Sequence, residues 1–340
     1  MIKMVNVLKE KSWSLFEGIV GKSQTMKEIY TLIKKIASKD VTILITGESG
    51  TGKELVARAI HRLSKRLNGP FVVVNCAAMV ASLWESEFFG HEKGAFTGAY
   101  TRRQGKLEQA QGGTLFLDEI GEMDISLQAK LLRVAEGYDF QRVGGQEPIS
   151  VNARFVFATN KDLAKEVKQG VFRRDLFYRV NTVTIDLPPL RERGEDIPLL
   201  ASYFLEKYHY HSNSQVESIS PPAMEIFCRY SWPGNVRELQ NEIERLCSLD
   251  VGKIILREHL RPEICEYQSA QESNREGIST KPTERYCLKE IEKDHIMKVL
   301  DATRGNISQA AKMLGISRPR LYRKIHQYHL ENPGFKKRLS

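Results

Sequence analysis

Between residues 41 and 187, short uninterrupted apolar runs alternate with stretches in which apolar residues recur every three or four positions. The runs at residues 41–46 (VTILIT), 71–74 (FVVV), 114–117 (TLFL) and 154–158 (RFVFA) predict strands buried on both faces. Residues 54–67 and 126–136 carry the helical spacing. Strands alternating with helices predict an α/β fold, a parallel sheet covered by helices, of the kind that binds nucleotides. After Pro188-Pro189-Leu190 the strands stop, and residues 197–210, 222–230 and 236–249 predict a small helical lid. Residues 266–282 are polar and aperiodic and read as a linker. Beyond it, residues 306–314 predict a short amphipathic helix, Gly315-Ile316-Ser317 a turn with a capping serine, and residues 318–328 a second helix with Pro319 tolerated in its first turn. The expected division is a short N-terminal segment (1–15), an α/β subdomain (16–190), a lid (191–265), a linker (266–282) and an all-α C-terminal domain (283–340).

Composition narrows the class. The 340 residues are 41% hydrophobic and 27% charged, as in soluble globular proteins. No apolar run approaches the ~18 residues of a spanning helix. Residues 1–11 lack the apolar stretch of a signal peptide. The five cysteines stand singly, with no Cys-x-x-Cys pair. That argues against zinc or a disulfide framework and for a reducing cytoplasm. Charge is uneven. Residues 283–340 hold 13 Lys/Arg against 6 Asp/Glu, so +7 of the net +9 sits in the tail. A short basic domain at one end is the electrostatic footprint of a module for double-stranded DNA, although a solvated surface gives the same excess. Leu321 and Ile325 share a face, leaving Ser317, Arg318, Arg320, Tyr322, Arg323 and Lys324 as candidate DNA contacts from a helix in the major groove. Leu288, Ile291 and Val299 form an apolar stripe suited to core or dimer contact.

Gly47-Glu48-Ser49-Gly50-Thr51-Gly52-Lys53 follows an expected strand and opens an expected helix, the setting in which a glycine-rich string cradles phosphates. Lys53 would reach the β- and γ-phosphates. Glu54 stands where many such loops have a magnesium-binding Ser or Thr. Asp118 and Glu119 emerge from the carboxyl end of a buried run, where α/β sheets place ligands. Asp118 is the candidate Mg²⁺ ligand. Glu119 is placed to orient and polarise the attacking water. Residues 159–162 (TNKD) resemble the guanine-binding Asn-Lys-x-Asp only in part, since position 163 is Leu.

Gly94-Ala95-Phe96-Thr97-Gly98-Ala99 sets an aromatic and a hydroxyl between two glycines, a narrow turn from which Phe96 and Thr97 can project. A tight turn whose Phe folds back into the core is the alternative. With Glu87-Phe88-Phe89-Gly90-His91-Glu92-Lys93 before it, this stretch resembles the sigma-54-contacting loop of bacterial enhancer-binding proteins, transcriptional activators with AAA+ ATPase domains. The resemblance covers nearly the whole chain, with a Fis-type helix-turn-helix at its end.

What the resemblance implies is specific. It implies ATP as the nucleotide, and it makes Glu54 unremarkable. Asn75 matches the switch asparagine that bonds the catalytic glutamate. Thr159 and Asn160 match sensor I. Arg237, in Trp232-Pro233-Gly234-Asn235-Val236-Arg237-Glu238, matches sensor II, and Arg173 and Arg179 match arginine fingers acting across a subunit boundary. A homo-oligomeric ring, usually a hexamer with dimeric DNA-binding domains, follows. The partners implied are sigma-54 RNA polymerase and an upstream DNA site. Only about a dozen residues precede Phe16, where many relatives carry a sensory domain, so control by a regulatory protein in trans or a truncated chain is expected. An AAA+ remodeller of replication proteins and a nucleotide-sensing DNA-binding repressor remain as alternatives.

Overall fold

The computed structural model describes residues 15–78, 81–212, 215–249, 251–265, 296–297, 299–300, 303 and 305–328. Residues 1–14 of the expected N-terminal segment 1–15, the linker 266–282 and the stripe residues Leu288 and Ile291 lie outside these residues. The chain divides into two units, residues 1–270 and 271–340.

The first unit is built on five parallel strands: β1 (Ile43–Thr46), β2 (Phe71–Asn75), β3 (Thr114–Asp118), β4 (Arg154–Thr159) and β5 (Val183–Asp186), in spatial order β2-β3-β4-β1-β5. Alternation along each strand sends side chains to opposite faces. Ile43, Ile45, Phe116, Val156 and Ala158 pack under helices α1 (Gln24–Ala37) and α2 (Lys53–Arg62), through residues such as Ile33, Val56 and Ile60. Leu44, Leu115, Leu117, Phe155 and Phe157 pack on the other side against α3 (Ala81–Phe89) and α4 (Ile125–Ala135), through Trp84, Phe88 and Leu131. Both faces are covered, which is why these strands are continuously apolar.

Helix α2 ends at Arg62, five residues short of expectation, because the Ser64 hydroxyl donates to the His61 carbonyl at 2.7 Å and starts a turn. Helix α4 starts at Ile125, where Asp124 caps it by accepting from the Ser126 N–H. Helices α5 (Leu163–Lys168) and α6 (Arg174–Val180) lead back to β5. The lid consists of α7 (Asp196–Ser212), α8 (Pro221–Arg229) and α9 (Asn235–Ser248) around the buried Trp232. Its core also takes in Val20 and Leu190, while Ile19 belongs to the sheet core. The N-terminal hairpin, Leu15–Phe16 paired with Ile19–Val20, therefore straddles both.

In the second unit, α10 (Ile307–Met313) is capped by Asn306, whose side chain accepts from the Ser308 and Gln309 N–H groups, and is followed by Gly315 at φ +64°. Helix α11 (Arg318–Gln327) follows. Ile296, Leu300, Ala310, Ala311 and Leu321 form its core, with Val299 and Ile325 packed against it. Ser317 holds the cap position with extended backbone, but its side chain makes no cap hydrogen bond. Among the described residues, no helix is long and apolar enough to cross a membrane.

Candidate functional site: a phosphate loop under the lid

The loop 47–53 leaves β1 and enters α2, so its N–H groups face the open carboxyl edge of the sheet. The backbone N–H groups of Gly50, Gly52, Lys53 and Glu54 find no acceptor among the described residues. Four free donors at a helix start form an anion cradle. Gly50 adopts φ +80°, and a Cβ there would lie 2.2 Å from the Gly234 carbonyl oxygen. Only glycine lets the lid approach the loop this closely.

Lys53 is buried, at 6% exposure, yet remains fully engaged. Its Nζ donates to the Gly47 carbonyl at 3.0 Å and pairs with Glu119 Oε1 at 3.2 Å. Glu119 Oε2 accepts from the Asn160 N–H at 3.1 Å. Glu119 itself sits in the left-handed region, φ +54°, a conformation that costs a non-glycine residue about 1–3 kcal/mol and gathers at functional sites. Next to it, burial and the Glu119 charge push the Asp118 carboxyl up, and Lys53 pulls it down. Two acids against one ammonium leave a negative excess that suits a divalent cation. No cluster of three or more His, Cys, Asp or Glu side chains fit for a metal occurs among the described residues. A magnesium ion shared with phosphate oxygens, through one or two carboxylates, needs no such cage.

Other expected residues are placed as follows. Thr159 is buried at the end of β4, where its hydroxyl accepts from the Lys161 N–H. Arg237 Nη1 donates to Ser49 Oγ at 3.2 Å, bringing α9 onto the loop. Asn75 does not bond Glu119; its Oδ1 accepts from the Ala77 and Ala78 N–H groups at 3.0 and 3.2 Å and closes its own turn. Glu54 points away from the cradle and pairs with Arg58 at 2.6 Å. Arg173 pairs with Asp175 at 2.6 Å on the surface, and Arg179 donates through Nε to the Ala135 carbonyl at 3.0 Å. Neither arginine hydrogen-bonds the phosphate loop of its own chain.

Sequence reasoning missed three features. Asn235, fully buried at φ +54°, accepts from the Leu190 N–H at 2.7 Å while its Nδ2 donates to the Ser49 carbonyl at 3.0 Å and Glu48 Oε2 at 3.1 Å. Arg191 grips the same Glu48 with two hydrogen bonds of 2.7 and 2.9 Å, and these partners hold its carboxyl below the usual range. Asn235 lies in the motif that yielded Arg237, and an asparagine after Pro-Gly was the available signal. The second feature is an apolar slot of about 220 Å³ between Ile19, Val20, Thr51, Gly52 and the lid residues Leu200, Tyr203 and Phe204. It adjoins the cradle through Thr51 and Gly52, and its lining is mainly apolar.

The third is the base of the 94–99 loop. Arg142, 6% exposed, donates to Glu108 Oε1 and Oε2 at 2.8 and 2.5 Å and to Glu92 Oε1 at 2.8 Å. Its partners hold the guanidinium pKa above the ordinary arginine value. The loop itself closes through Gly94 N–H to Ala99 O (2.8 Å) and Ala99 N–H to Phe96 O (3.0 Å), with Gly94 and Gly98 at φ +84° and +105°. Ala99 is buried, Thr97 is exposed, and Phe96 is 41% exposed with its ring edge against His91 at 5.1 Å. The ring is therefore outside the core. In the second unit, Ser317, Arg318, Arg320, Tyr322 and Arg323 are exposed and Lys324 is half-buried.

Comparison with known proteins agrees across the chain. A sigma-54 interaction domain matches residues 19–186, an AAA+ ATPase lid domain residues 191–277, and a bacterial regulatory protein of the Fis family residues 288–328. The regulatory protein AtoC of Escherichia coli (strain K12) is 50% identical over 324 residues, covering 94% of this chain and 69% of AtoC. The DNA-binding transcriptional regulator NtrC of Azospirillum brasilense is 46% identical over 337 residues, covering 92% of this chain and 70% of NtrC. The crystal structure of NtrX from Brucella abortus in complex with ATP superposes with a TM-score of 0.68 at 34% identity, covering 97% of this chain and 72% of that one.

Proposed function

The chain belongs to the family of sigma-54-dependent transcriptional activators, ATPases that also bind DNA, and on that premise we propose how its residues divide the work. The phosphates of ATP lie in the 47–53 loop, held by the free N–H groups and Lys53, with the base in the slot under α7. That the similar NtrX was solved in complex with ATP supports ATP as the ligand. Mg²⁺, when bound, offsets phosphate charge, and Asp118 would hold it.

The observation that carries the mechanism is the position of Lys53 between Gly47 and Glu119. Lys53 is shared between the glutamate and the phosphates. When its ammonium turns to the phosphates, Glu119 is released to orient water for in-line attack and to take up its proton. The contact of Glu119 with the Asn160 N–H ties that change to the end of β4, beside Thr159. The turn occupies only Asn75 Oδ1, so its Nδ2 amide is the group that would donate to Glu119. Arg237 and Asn235 report the cradle to the lid. Arg173 and Arg179 serve a neighbouring subunit, where a donated arginine is worth about 10³-fold or more in rate. A ring, a hexamer by family habit, completes each site.

The solvent-exposed Phe96-Thr97 tip is the part that engages sigma-54 in the polymerase complex, and α11 carries the exposed arginines to upstream DNA. These roles place the protein in the cytoplasm. The test is Glu119→Gln, which should keep ATP binding while lowering turnover at least about 10²-fold. Turnover near wild type would refute the assignment. Thr97→Ala should leave turnover intact and stop promoter opening in reconstituted transcription with sigma-54 polymerase.

A further inference from the structure

We propose that Arg193 reads the base of the bound nucleotide, its guanidinium donating a hydrogen bond from the floor of the apolar slot to a ring-nitrogen acceptor of the purine. This deepens the reading above and rests on the 47–53 loop being the ATP site. Arg193 follows Leu190–Glu192, a short 3-10 turn at the entrance to the lid, and its side chain lines the slot beside Thr51, Leu187 and Phe204.

The reason is an unmet need for acceptors. Arg193 is 3% exposed, and a guanidinium carries five N–H donors. The acceptor it reaches among the described residues is the thioether of Met26, at 3.1 Å from Nη1, and a thioether accepts weakly. Its Nε is buried with no partner. The charge of the fully buried Asp196 favours the charged form of Arg193, but the hydrogen bonds Asp196 accepts come from elsewhere. Oδ1 accepts from the Lys22 and Ser23 N–H groups at 2.7 and 2.9 Å, and Oδ2 from the Ser23 hydroxyl at 2.9 Å. Burial lowers the pKa of Arg193, as it must for a charge held away from water.

Arg154 is the internal contrast. It is equally buried, but its two terminal nitrogens donate to the Ala37 and Ile36 carbonyls at 2.6 and 3.1 Å and close the end of α1. Its Nε is buried without a partner, as that of Arg193 is, so the difference lies in the terminal nitrogens, which in Arg154 have carbonyl acceptors. Arg193 has a cavity. A buried donor without a partner is costly, and a ligand that brings the acceptor removes that cost. The slot's mainly apolar lining suits the faces of an aromatic base. A guanidinium can only donate, so the atom it meets on adenine is a ring nitrogen and not the exocyclic amine.

The experiment is a set of equilibrium titrations on the whole chain with ATP, with its 1-, 3- and 7-deaza analogues, and with inorganic tripolyphosphate. On wild type, one deaza analogue should bind about 10- to 100-fold more weakly than ATP, the range of a hydrogen bond to a charged group. Arg193→Met should weaken ATP by the same factor, lose nothing further with that analogue, and leave tripolyphosphate within about twofold. If wild type binds every deaza analogue as tightly as ATP, the proposal is overturned, whether or not the variant folds. Equal weakening of ATP and tripolyphosphate by Arg193→Met would also overturn it. Wild type that bound neither ATP nor tripolyphosphate would instead overturn the nucleotide site itself.

Discussion

Replacing Arg142 with methionine removes a buried cation while nearly preserving its length, and leaves Glu108 and Glu92 facing each other across the space it filled. Arg142 is 5% exposed as a side chain, Glu108 9% and Glu92 33%. Removing one partner of a buried pair costs about 3–5 kcal/mol, because the remaining charge is stranded. Glu92 is open enough to reach water, so the low end of that range applies. The penalty falls on the segment that carries the 94–99 loop, since Glu92 also donates its N–H to the Val143 carbonyl at 3.1 Å and Gly90 accepts from Val143 at 3.0 Å. Urea unfolding should lose about 3 kcal/mol, and amide exchange should rise first over residues 90–99 and 140–145. The ATPase cradle lies on other elements, so ATP affinity should stay within about twofold while promoter opening fails. An Arg142→Met protein with wild-type unfolding, unchanged exchange in the loop and normal activation would refute the claim that this arginine anchors the loop.

Asn235→Ala should cost about 1–3 kcal/mol in thermal or urea unfolding, since it strands the buried Leu190 N–H, and should weaken ATP by loosening the lid on Ser49 and Glu48. His61 is 7% exposed, and burial first, then the Arg154 and Arg62 charges, lower its pKa below the ordinary value. The unfolded chain therefore binds a proton that the fold does not. The stability His61 contributes is complete above about pH 6.5 and is lost as pH falls toward its folded pKa. His61→Gln, which can still bond Thr114, should flatten that part of a urea-midpoint profile between pH 7 and 5. On DNA, Arg320→Ala should weaken specific and non-specific binding alike and reduce the salt slope by about 1 if the residue meets a phosphate. A loss confined to one base position would make it a base contact instead.

The elements most legible in the sequence were those whose residues answer to a single demand. β3 and β4 are buried on both faces and read as unbroken apolar runs. Lys53, Asp118 and Glu119 stand at fixed offsets from strand ends, so order along the chain fixes their meeting. β5 was missed because Val183-Thr184-Ile185-Asp186 is an edge strand with one buried residue, and its pattern is correspondingly mixed. Apart from the Pro233 carbonyl beside Asn235, the side-chain partners of Asn235, Arg142 and Arg193 lie from 34 to 187 positions away, and no local pattern records them. Asn75 and Ser317 show what residue type and position leave open. Each has the right residue type at the right place, but one bonds its own turn and the other leaves its hydroxyl unused as a cap.

The adjacent residues Ile19 and Val20 lie in different cores, one under the sheet and one in the lid. A strand divided in this way works as a splice: were the lid to rotate against the sheet, the strand would have to bend or follow, and tension on it would resist the rotation. By thermodynamic reciprocity, a load tied to the chain just ahead of Leu15 would alter nucleotide affinity by the same factor that nucleotide alters the load.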